Sequence, residues 1–271
     1  MIKTYFFVPL TNPKYIQKVK TLKIDHIVFD LEDAISKGSL EIAHENLKLI
    51  TDKDISFIRP EINWDNFNHD YLDILVDQGF SNFITPKATC YDHIKQLVDW
   101  SGQKTSKINF ILLVENPGLL FDLSSILKSF NDHIVGLSLG SHDYCSAMNA
   151  RYEYESYRYA HDFVLNLAKS FSVEAIDIAS MEIDDKVNFS GEVKRGFDKG
   201  YRSKFILHPR QLEYLDEIEY FSQEEIDFAR LVSEKIDIDD FDAVKIDGKV
   251  LEKPHINRIK EILKYAGHGN A

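Results

Sequence analysis

A strand and the helix that follows it are encoded by NFILLVENPGLLFDLSSILKSF (residues 109–130). Residues 109–115 form a short apolar run, and residues 117–130 form a longer amphipathic stretch. The same succession recurs along the chain, and the apolar runs are rich in β-branched or aromatic residues. The eight runs are YFFVPL (5–10), HIVFDL (26–31), SFIRP (56–60), NFITPK (82–87), NFILLVE (109–115), IVGLSLG (134–140), VEAIDI (173–178) and KFILHP (204–209).

Strands that alternate with helices favour a parallel sheet whose two faces are both covered. Eightfold repetition of this unit predicts a closed (β/α)8 TIM barrel of the α/β class. An open doubly wound sheet is the alternative, because a sequence cannot show closure. We assign the barrel, as the catalytic domain, to residues 1–220. Residues 221–271 are interpreted as helices around a short polar loop, a C-terminal helical extension that packs on the barrel or on a neighbouring subunit.

The charge and the cysteine content of the chain limit its partners and its compartment. The 271 residues carry a net charge of -12, which argues against non-specific binding of nucleic acid. An anionic substrate therefore requires a local cationic pocket. Two cysteines form no disulfide framework, and no apolar run approaches the roughly 18 residues that span a bilayer. We expect a cytoplasmic protein, without a signal peptide, that binds neither nucleic acid nor membrane.

Ionisable residues follow the apolar runs at one consistent end. In barrel enzymes the chemistry lies where the strands end and the following loops begin. The residues at these ends are Asp30, Glu32 and Asp33 after the second run, Arg59 in the third, Lys87 in the fourth, Glu115 in the fifth, His142 and Asp143 after the sixth, and His208 in the eighth. Carboxylates and cations are therefore predicted to converge on one mouth of the barrel.

Glu115 and Asp143 form the predicted metal site. They follow neighbouring strands, so their side chains can meet over the mouth of the barrel. Two carboxylates with waters and substrate oxygens suit Mg²⁺, which is a hard, octahedral and partly hydrated ion. The alternative for each residue is an ordinary surface carboxylate at the end of a strand.

Arg59 and Lys87 are the predicted cations of the site. An inward-facing Arg59 guanidinium would bind a substrate carboxylate in bidentate fashion or stabilise an enolate oxygen. A salt bridge from Arg59 to Glu32 or Asp33 is the structural alternative, and the two roles are compatible. Lys87 is either a second cation for the substrate or a solvated lysine after a Thr-Pro turn. We assign Arg59, Lys87 and Glu115 to substrate binding.

The segment VFDLED (28–33) places three acids within four residues. Charges this close repel one another unless they are hydrated, protonated or countered by a cation. Glu32 and Asp33 are therefore either water-mediated supports of the metal site or acids that are favoured at the N-terminus of a helix.

Other polar residues near the predicted mouth receive separate interpretations. We favour a structural role for His208. Cys145 is not expected to act as a nucleophile, because no histidine is paired with it by spacing. His142 and His26 receive no assignment.

Several of these segments resemble the citrate lyase beta-subunit and malyl-CoA lyase family, within the HpcH/HpaI aldolase superfamily. The matching segments are FVP with a following Asn-Pro (7–13), VFDLEDAI (28–35), IRPEIN (58–63), TPKA (85–88), ILLVEN (111–116), LSLGSHDYC (137–145), ILHPRQL (206–212) and IDGKVLEKPHINRIKEIL (246–263). The last two matches are the most specific. The order and spacing of the segments extend the resemblance along nearly the whole chain.

The resemblance implies a carbon–carbon lyase that binds Mg²⁺ through Glu115 and Asp143. It implies that Arg59 contacts the substrate carbonyl or carboxylate, with Glu32 and Asp33 as further catalytic groups beside the metal. Family members cleave or form a bond beta to a thioester or carboxylate carbonyl through an enolate, and many are trimers or hexamers. The implied substrate is a β-hydroxyacyl thioester of the citryl, malyl or citramalyl type, carried on CoA or on an acyl-carrier protein.

The chain departs from the family pattern in loops that receive the substrate or the CoA arm. Leu10 replaces the family's glycine, Asn116-Pro117-Gly118 follows Glu115, His142 stands where an acidic residue is common, and residues 236–244 replace a glycine-rich loop. The acyl group and its carrier therefore stay open. A CoA-independent aldolase acting on a free 2-oxo or β-hydroxy acid is one alternative, and a non-catalytic accessory subunit of a larger complex is another.

Overall fold

Eight parallel strands form a closed barrel in the computed structural model, which describes residues 2–33, 37–238 and 242–268. The strands are β1 Lys3–Pro9, β2 His26–Leu31, β3 Ser56–Pro60, β4 Asn82–Thr85, β5 Asn109–Val114, β6 Ile134–Leu139, β7 Glu174–Asp177 and β8 Ser203–Ile206. Closure rests on β1, which pairs with β2 on one side and with β8 on the other. The prediction of a TIM barrel is confirmed, and the open doubly wound sheet is excluded.

A helix follows each strand along the chain. The helices are α1 Pro13–Val19, α2 Leu40–Leu47, α3 Asp70–Asp77, α4 Tyr91–Ser101, α5 Pro117–Phe130, α6 Ser141–Ala147, α7 Tyr154–Ser170, α8 Lys186–Lys199 and α9 Pro209–Asp216. The residues before and within the first turn of α5 show why a helix begins there. The Asn116 side chain accepts a hydrogen bond from the Gly118 N–H at 2.7 Å. Pro117 occupies the first turn, where its lack of an N–H leaves no donor unsatisfied. Of the helices in the described ranges, none has the length and apolar character needed to cross a membrane.

The interior of the barrel is filled by side chains. The buried interior cluster consists of Tyr5, Val28, Phe57, Ile84, Ile111, Leu113, Ile176 and Phe205. Burying one such side chain contributes about 1.5–3 kcal/mol relative to leaving it exposed. Because the interior is packed, a ligand binds at an end of the barrel and not in a central channel.

Two predicted strands run more than one residue beyond the observed ones at their C-terminal ends. β4 ends at Thr85 and β8 ends at Ile206, so Pro86, Lys87 and residues 207–209 belong to loops. Pro86 has no N–H for the strand ladder, and Lys87 has a φ of 55°, which is outside the strand region. The predicted functional residues after these strands therefore lie on the loops that form the mouth.

The described residues from 217 to 268 form a second compact unit. Its elements are α10 Gln223–Lys235, β9 Val244–Ile246, β10 Lys249–Leu251 and α11 Lys253–His268. The predicted polar loop contains a β-hairpin that was not predicted. Its strands have three residues each, which is too short for the alternation of polar and apolar residues that indicates a strand. Its turn residues Asp247 and Gly248 have φ values of 49° and 78°, as a type I′ turn requires. Residues 239–241 of the predicted loop lie outside the described residues, and the packing of the extension on the barrel or on a neighbouring subunit stays a prediction.

Candidate active site

A cavity of about 380 Å³ opens at the C-terminal mouth of the barrel. Its described lining residues are Phe7, Pro9, Asp30, Asp33, Arg59, Leu113, Glu115, Leu139, Gly140, Ser141, His142, Asp143, Ala179, Met181, Phe205 and Leu207. The predicted residues Asp33, Arg59, Glu115 and Asp143 share this lining. Apolar side chains form most of the rest of the wall, together with Asp30, Ser141 and His142. The fold thus brings together residues that the sequence separates widely.

Arg59, in β3, is held by one carboxylate of β2 and by two that directly follow that strand. Its Nε and Nη2 donate to the two oxygens of Asp30 at 2.8 and 2.6 Å, and its Nη1 lies 3.2 Å from Glu32 Oε2 and 3.3 Å from Asp33 Oδ2. Asp30 and Arg59 are register partners, so strand pairing sets this geometry. Burial acts to lower the pKa of Arg59, but the hydrogen bonds to Asp30 and the charge of Asp30 outweigh this effect. The pKa of Arg59 is therefore raised overall. The guanidinium is therefore permanently charged, and its salt bridges coexist with its place in the cavity wall.

Lys87 is exposed and is also ion-paired. Its Nζ contacts the Glu32 carboxylate and lies 2.9 Å from Asp33 Oδ1. Burial raises the pKa of Glu32 to about 7, against the opposing effects of Lys87 and Arg59. Burial also acts to raise the pKa of Asp33, but the hydrogen bond from Lys87, a hydrogen bond with Glu32 and the Arg59 charge together lower it. The helix-start interpretation of the two acids involves residues 34–36, which lie outside the described residues.

Glu115 directly follows β5 and is buried, with 4% of its surface exposed. Its Oε2 accepts a hydrogen bond from the backbone N–H of Lys87. Burial raises the pKa of Glu115 to about 8, and the negative charges of Asp143 and Glu32 add to the rise. The carboxylate side chain packs closely against Gly140, where an added Cβ would lie 2.4 Å from Glu115 Cγ. A glycine at this position is therefore a condition for the observed placement of Glu115.

Asp143 lies in the first turn of α6, and β6 itself stops at Leu139. It is exposed and lines the same cavity as Glu115. The preceding His142 stacks on Tyr152, with ring centroids 3.6 Å apart and planes inclined by 11°. Burial lowers the pKa of His142, which favours the neutral imidazole. The predicted metal pair thus combines a buried carboxylate with a solvent-facing one.

Glu115 and Asp143 fit a Mg²⁺ ion by their chemistry. Mg²⁺ is usually held by one or two carboxylates and keeps several waters. The carboxylates of the site are Asp30, Glu32, Asp33, Glu115 and Asp143, and the cations are Arg59 and Lys87. This excess of negative charge is one cause of the raised pKa of Glu115, after burial. A divalent cation would reduce the excess, and the close packing of Glu115 against Gly140 keeps its carboxylate ready for that role.

A second group of metal-ligating side chains lies outside the cavity lining. His69, Asp70 and Asp73, at the start of α3, offer ligand atoms that lie close to one another. Asp73 already accepts a hydrogen bond from Trp100 Nε1 at 2.7 Å and contacts Lys104. Because protein groups satisfy this carboxylate, we assign no metal to the cluster.

The remaining polar candidates have surroundings of a structural kind. His208 Nδ1 accepts a hydrogen bond from the Arg210 N–H at 3.2 Å, at the start of α9. Cys145 is buried, and burial raises the pKa of its thiol, which disfavours a nucleophilic thiolate. His26 lies at the opposite, N-terminal end of the barrel, with its ring 4.5 Å from that of Tyr5. These positions agree with the sequence interpretations of His208 and Cys145.

Three residues contribute to the site in ways that the sequence analysis did not predict. Asp30 was noted at the end of its apolar run but not as the main partner of Arg59. Gly140 directly follows an apolar run, and that position was its only signal. Trp64 donates from Nε1 to the Pro86 carbonyl at 2.9 Å, and nothing in the local pattern marks it.

A closed barrel whose mouth combines two carboxylates suited to Mg²⁺ with a fixed guanidinium defines a candidate metal-assisted enzyme of the TIM-barrel class. Residues 3–209 match the family model of HpcH/HpaI aldolase/citrate lyase, and the chain belongs to this family. The family resemblance and the prediction of a lyase-type enzyme are thereby confirmed.

The similarity to individual relatives extends over most of the chain. The citrate lyase subunit beta of Leuconostoc mesenteroides subsp. cremoris is 23% identical over 282 residues, which cover 97% of this chain and 93% of the relative. The mitochondrial citramalyl-CoA lyase of Homo sapiens is 23% identical, over 84% of this chain and 73% of its own. The crystal structure of CitE from Mycobacterium tuberculosis in complex with magnesium, acetoacetate and coenzyme A has a TM-score of 0.82, 18% identity and 98% coverage of both chains. This last likeness establishes the shared fold.

Proposed function

We propose that this protein is a Mg²⁺-dependent carbon–carbon lyase acting on a β-hydroxyacyl thioester of the citryl, malyl or citramalyl type. The observation that carries the proposal is the convergence of Glu115, Asp143 and the Arg59 guanidinium on one cavity. Cleavage beta to a thioester carbonyl leaves an enolate, and cationic groups at a fixed position stabilise such a charge. The names of the relatives, and the magnesium and coenzyme A in the CitE structure, support the same class of reaction.

Glu115 and Asp143 are the residues that would hold the ion. Bound Mg²⁺ supplies Lewis-acid polarisation of a substrate oxygen. Glu115 is oriented beforehand, because its Oε2 accepts from the Lys87 N–H and its side chain packs against Gly140. Asp143 reaches the cavity from the first turn of α6, on the solvent side. Glu115 therefore needs little rearrangement to bind a cation.

Arg59 stabilises negative charge on the substrate. Its two hydrogen bonds to Asp30 fix the plane of the guanidinium before a substrate arrives, so the group does not need to reorganise during the reaction. Glu32 and Asp33 contribute by holding Arg59 and Lys87 in place. Lys87 adds a second positive charge beside the cavity.

The apolar part of the cavity wall strengthens these electrostatic interactions. Phe7, Leu113, Phe205 and Leu207 line the cavity beside the charged residues. The Arg59 guanidinium carbon lies 5.2 Å from the centre of the Phe7 ring. A wall of this kind limits the water around the reacting groups, and a charge acts more strongly where the local dielectric is low.

We also propose that the enzyme is a cytoplasmic homo-oligomer, a trimer or hexamer, whose substrate is carried on CoA or on an acyl-carrier protein. Cys90 and Cys145 are both free, which suits a reducing compartment. Light scattering during size-exclusion chromatography measures the mass of the assembly, and a strictly monomeric protein would contradict this part of the proposal. Cell fractionation with an antibody measures the compartment.

A lyase assay tests the proposed reaction. The purified protein is incubated with Mg²⁺ and malyl-CoA, citramalyl-CoA or citryl-CoA, beside the free acids, with and without EDTA. We expect release of acetyl-CoA and the matching 2-oxo acid from a thioester, and its loss in EDTA. Cleavage of free acids alone would favour the CoA-independent aldolase. Mg²⁺ binding without any turnover, restored only by a partner protein, would favour the accessory subunit.

Glu115→Gln serves as the inactive variant in this assay. The substitution preserves size and removes the charge, so metal-dependent turnover should disappear while the protein stays folded. Glu174→Gln is the matched control, because Glu174 is a half-buried carboxylate that interacts with Tyr5 and Lys3 at the other end of the barrel. Equal turnover of Glu115→Gln and wild type in Mg²⁺ would overturn the metal assignment.

A further inference from the structure

Lys87 joins two parts of the candidate site through its backbone and its side chain. Its backbone N–H donates to Glu115 Oε2, and its Nζ contacts Glu32 and Asp33. Its φ of 55° is unfavourable for a residue with a Cβ, and that conformation places the N–H. Whatever holds the segment after β4 in this conformation therefore also holds the Glu115 carboxylate.

Trp64, in the loop between β3 and α3, is hydrogen-bonded to the residue just before Lys87. Its Nε1 donates to the Pro86 carbonyl at 2.9 Å. The indole is stacked on Phe67, with centroids 5.9 Å apart and an interplanar angle of 9°, and on His93, at 4.9 Å and 4°. The donor is thus held in position by contacts of the indole with two aromatic rings.

His93, in α4, extends the same arrangement to the other end of the segment. Its Nδ1 accepts a hydrogen bond from the Thr89 N–H at 3.2 Å. Phe67, Trp64 and His93 together, which we call the aromatic brace, therefore contact the backbone of the β4–α4 loop at residues 86 and 89. Lys87 lies between these two points.

We propose that Trp64 is a positioning residue for the metal site, acting through Pro86 and Lys87 on Glu115. This inference rests on the proposed function, because it treats Glu115 as a metal ligand. The indole N–H satisfies the Pro86 carbonyl and holds the peptide that joins Pro86 to Lys87 in the orientation that directs the Lys87 N–H toward Glu115. Loss of that N–H frees the carbonyl and lets Lys87 relax toward negative φ, which turns its N–H away from the carboxylate.

Trp64→Phe tests the proposal, because it removes the Nε1–H and keeps an aromatic ring in the stack. We expect Mg²⁺ to bind about 10-fold more weakly, as is typical when a group that orients a metal ligand is lost. We expect kcat to fall with it, and the melting temperature to change little because Trp64 is only half-buried. Titration calorimetry of the metal-free protein measures the affinity without depending on turnover.

Trp100→Phe is the matched control. Trp100 is the other tryptophan of the chain, is 2% exposed, and donates from Nε1 to Asp73 on α3. The same substitution there should lower stability more than Trp64→Phe and leave Mg²⁺ affinity unchanged. The two variants also assign the two indole N–H signals in a ¹⁵N spectrum. Addition of Mg²⁺ to the wild type should shift the Trp64 signal and leave the Trp100 signal in place.

The possible results separate this proposal from the proposed function. If Trp64→Phe binds Mg²⁺ with wild-type affinity, and Mg²⁺ does not shift the Trp64 signal of the wild type, the positioning role is overturned and the metal site is left intact. Equal weakening in both variants also overturns it, because a general loss of stability would then be the cause. A wild type that binds no Mg²⁺ overturns the proposed function. In that case the Lys87 amide signal of the metal-free protein decides the positioning role, since Trp64→Phe must shift it and Trp100→Phe must not.

Discussion

Replacing Gly140 by alanine should displace the Glu115 carboxylate and weaken Mg²⁺ binding. The added Cβ would lie 2.4 Å from Glu115 Cγ, 3.1 Å from Cδ and 3.0 Å from Oε1. Ordinary contacts between carbon atoms are about 3.5–4.0 Å, so Cγ has to move by roughly 1 Å. Gly140 has a φ of −80°, which alanine also adopts, so the effect comes from the contact and not from backbone strain.

A shift of this size is large for a metal ligand. Coordination distances are specific to within about 0.2 Å, and Glu115 is 4% exposed, with Lys87 bound to its Oε2. Disturbing the groups that support a metal ligand costs about 10- to 100-fold in affinity or activity. That range corresponds to about 1.4–2.7 kcal/mol. We expect Gly140→Ala to lie at its upper end, because the carboxylate itself is moved.

Titration calorimetry with Mg²⁺ measures this loss, and Gly191→Ala is the matched control. Gly191 lies in α8, and nothing lies within 4 Å of a Cβ added there. The control should bind Mg²⁺ like the wild type and gain up to about 1 kcal/mol of stability, because alanine favours a helix over glycine. A folded Gly140→Ala protein with wild-type affinity for Mg²⁺ would refute the reasoning.

Three further predictions concern charge and packing. Arg59→Lys should lower kcat/KM by about 10²–10³, since lysine lacks the planar fork; steady-state kinetics on the active substrate measures it, and a value within threefold of wild type contradicts the role. Gly196→Ala would place a Cβ 2.4 Å from Oδ2 of the buried Asp177. We expect it to lower the free energy of unfolding by about 1–3 kcal/mol, measured by urea denaturation. An unchanged midpoint would argue against close packing at this position. Burial acts to raise the pKa of Glu174, but hydrogen bonds from Ser203 and its other partners lower it overall. Glu174 therefore contributes stability to the fold that is fully present above the unfolded pKa of about 4.3 and is lost as the pH falls through the lower folded value. Glu174→Gln should flatten that part of the curve of unfolding free energy against pH. Identical curves for the variant and the wild type would exclude this contribution.

The sequence predicted the barrel and the residues at its strand ends for a simple reason. Each strand is buried on both faces, so it appears as an apolar run, and the first ionisable residue marks the edge of the core. Arg59 and Glu115 are residues of this type. Closure of the barrel then brings their strand ends to one mouth, as observed.

Contacts between strands and loops could not be predicted in the same way. The pairing of Asp30 with Arg59 depends on strand register, which the runs alone do not fix. The hydrogen bond from Lys87 to Glu115 depends on a positive φ at a residue that is not glycine. Such a conformation is set by surrounding contacts, so a local pattern does not reveal it.

The same limit applies to distances that only the folded chain defines. The tight contact of Gly140 with Glu115 joins two neighbouring strands, and the stack of His142 on Tyr152 spans a helix and the loop after it. Asp143 lies at the predicted mouth, but the structure places it in the first turn of α6 and not directly at the end of β6. Its exposure follows from that position.

The pairing of β1 with β8 has a consequence for how the chain folds during synthesis. Lys3 is the register partner of Ser203, and its backbone N–H donates to the Arg202 carbonyl at 2.8 Å. The ring therefore cannot close until nearly the whole barrel has left the ribosome. Until then β1 presents an open edge to other chains, and the charge of Lys3, later neutralised by Glu174, discourages strand addition there. In pulse-labelled refolding we expect the amides that join β1 to β8 to gain protection last, whereas early protection would mean that the two ends of the barrel meet before its middle is formed.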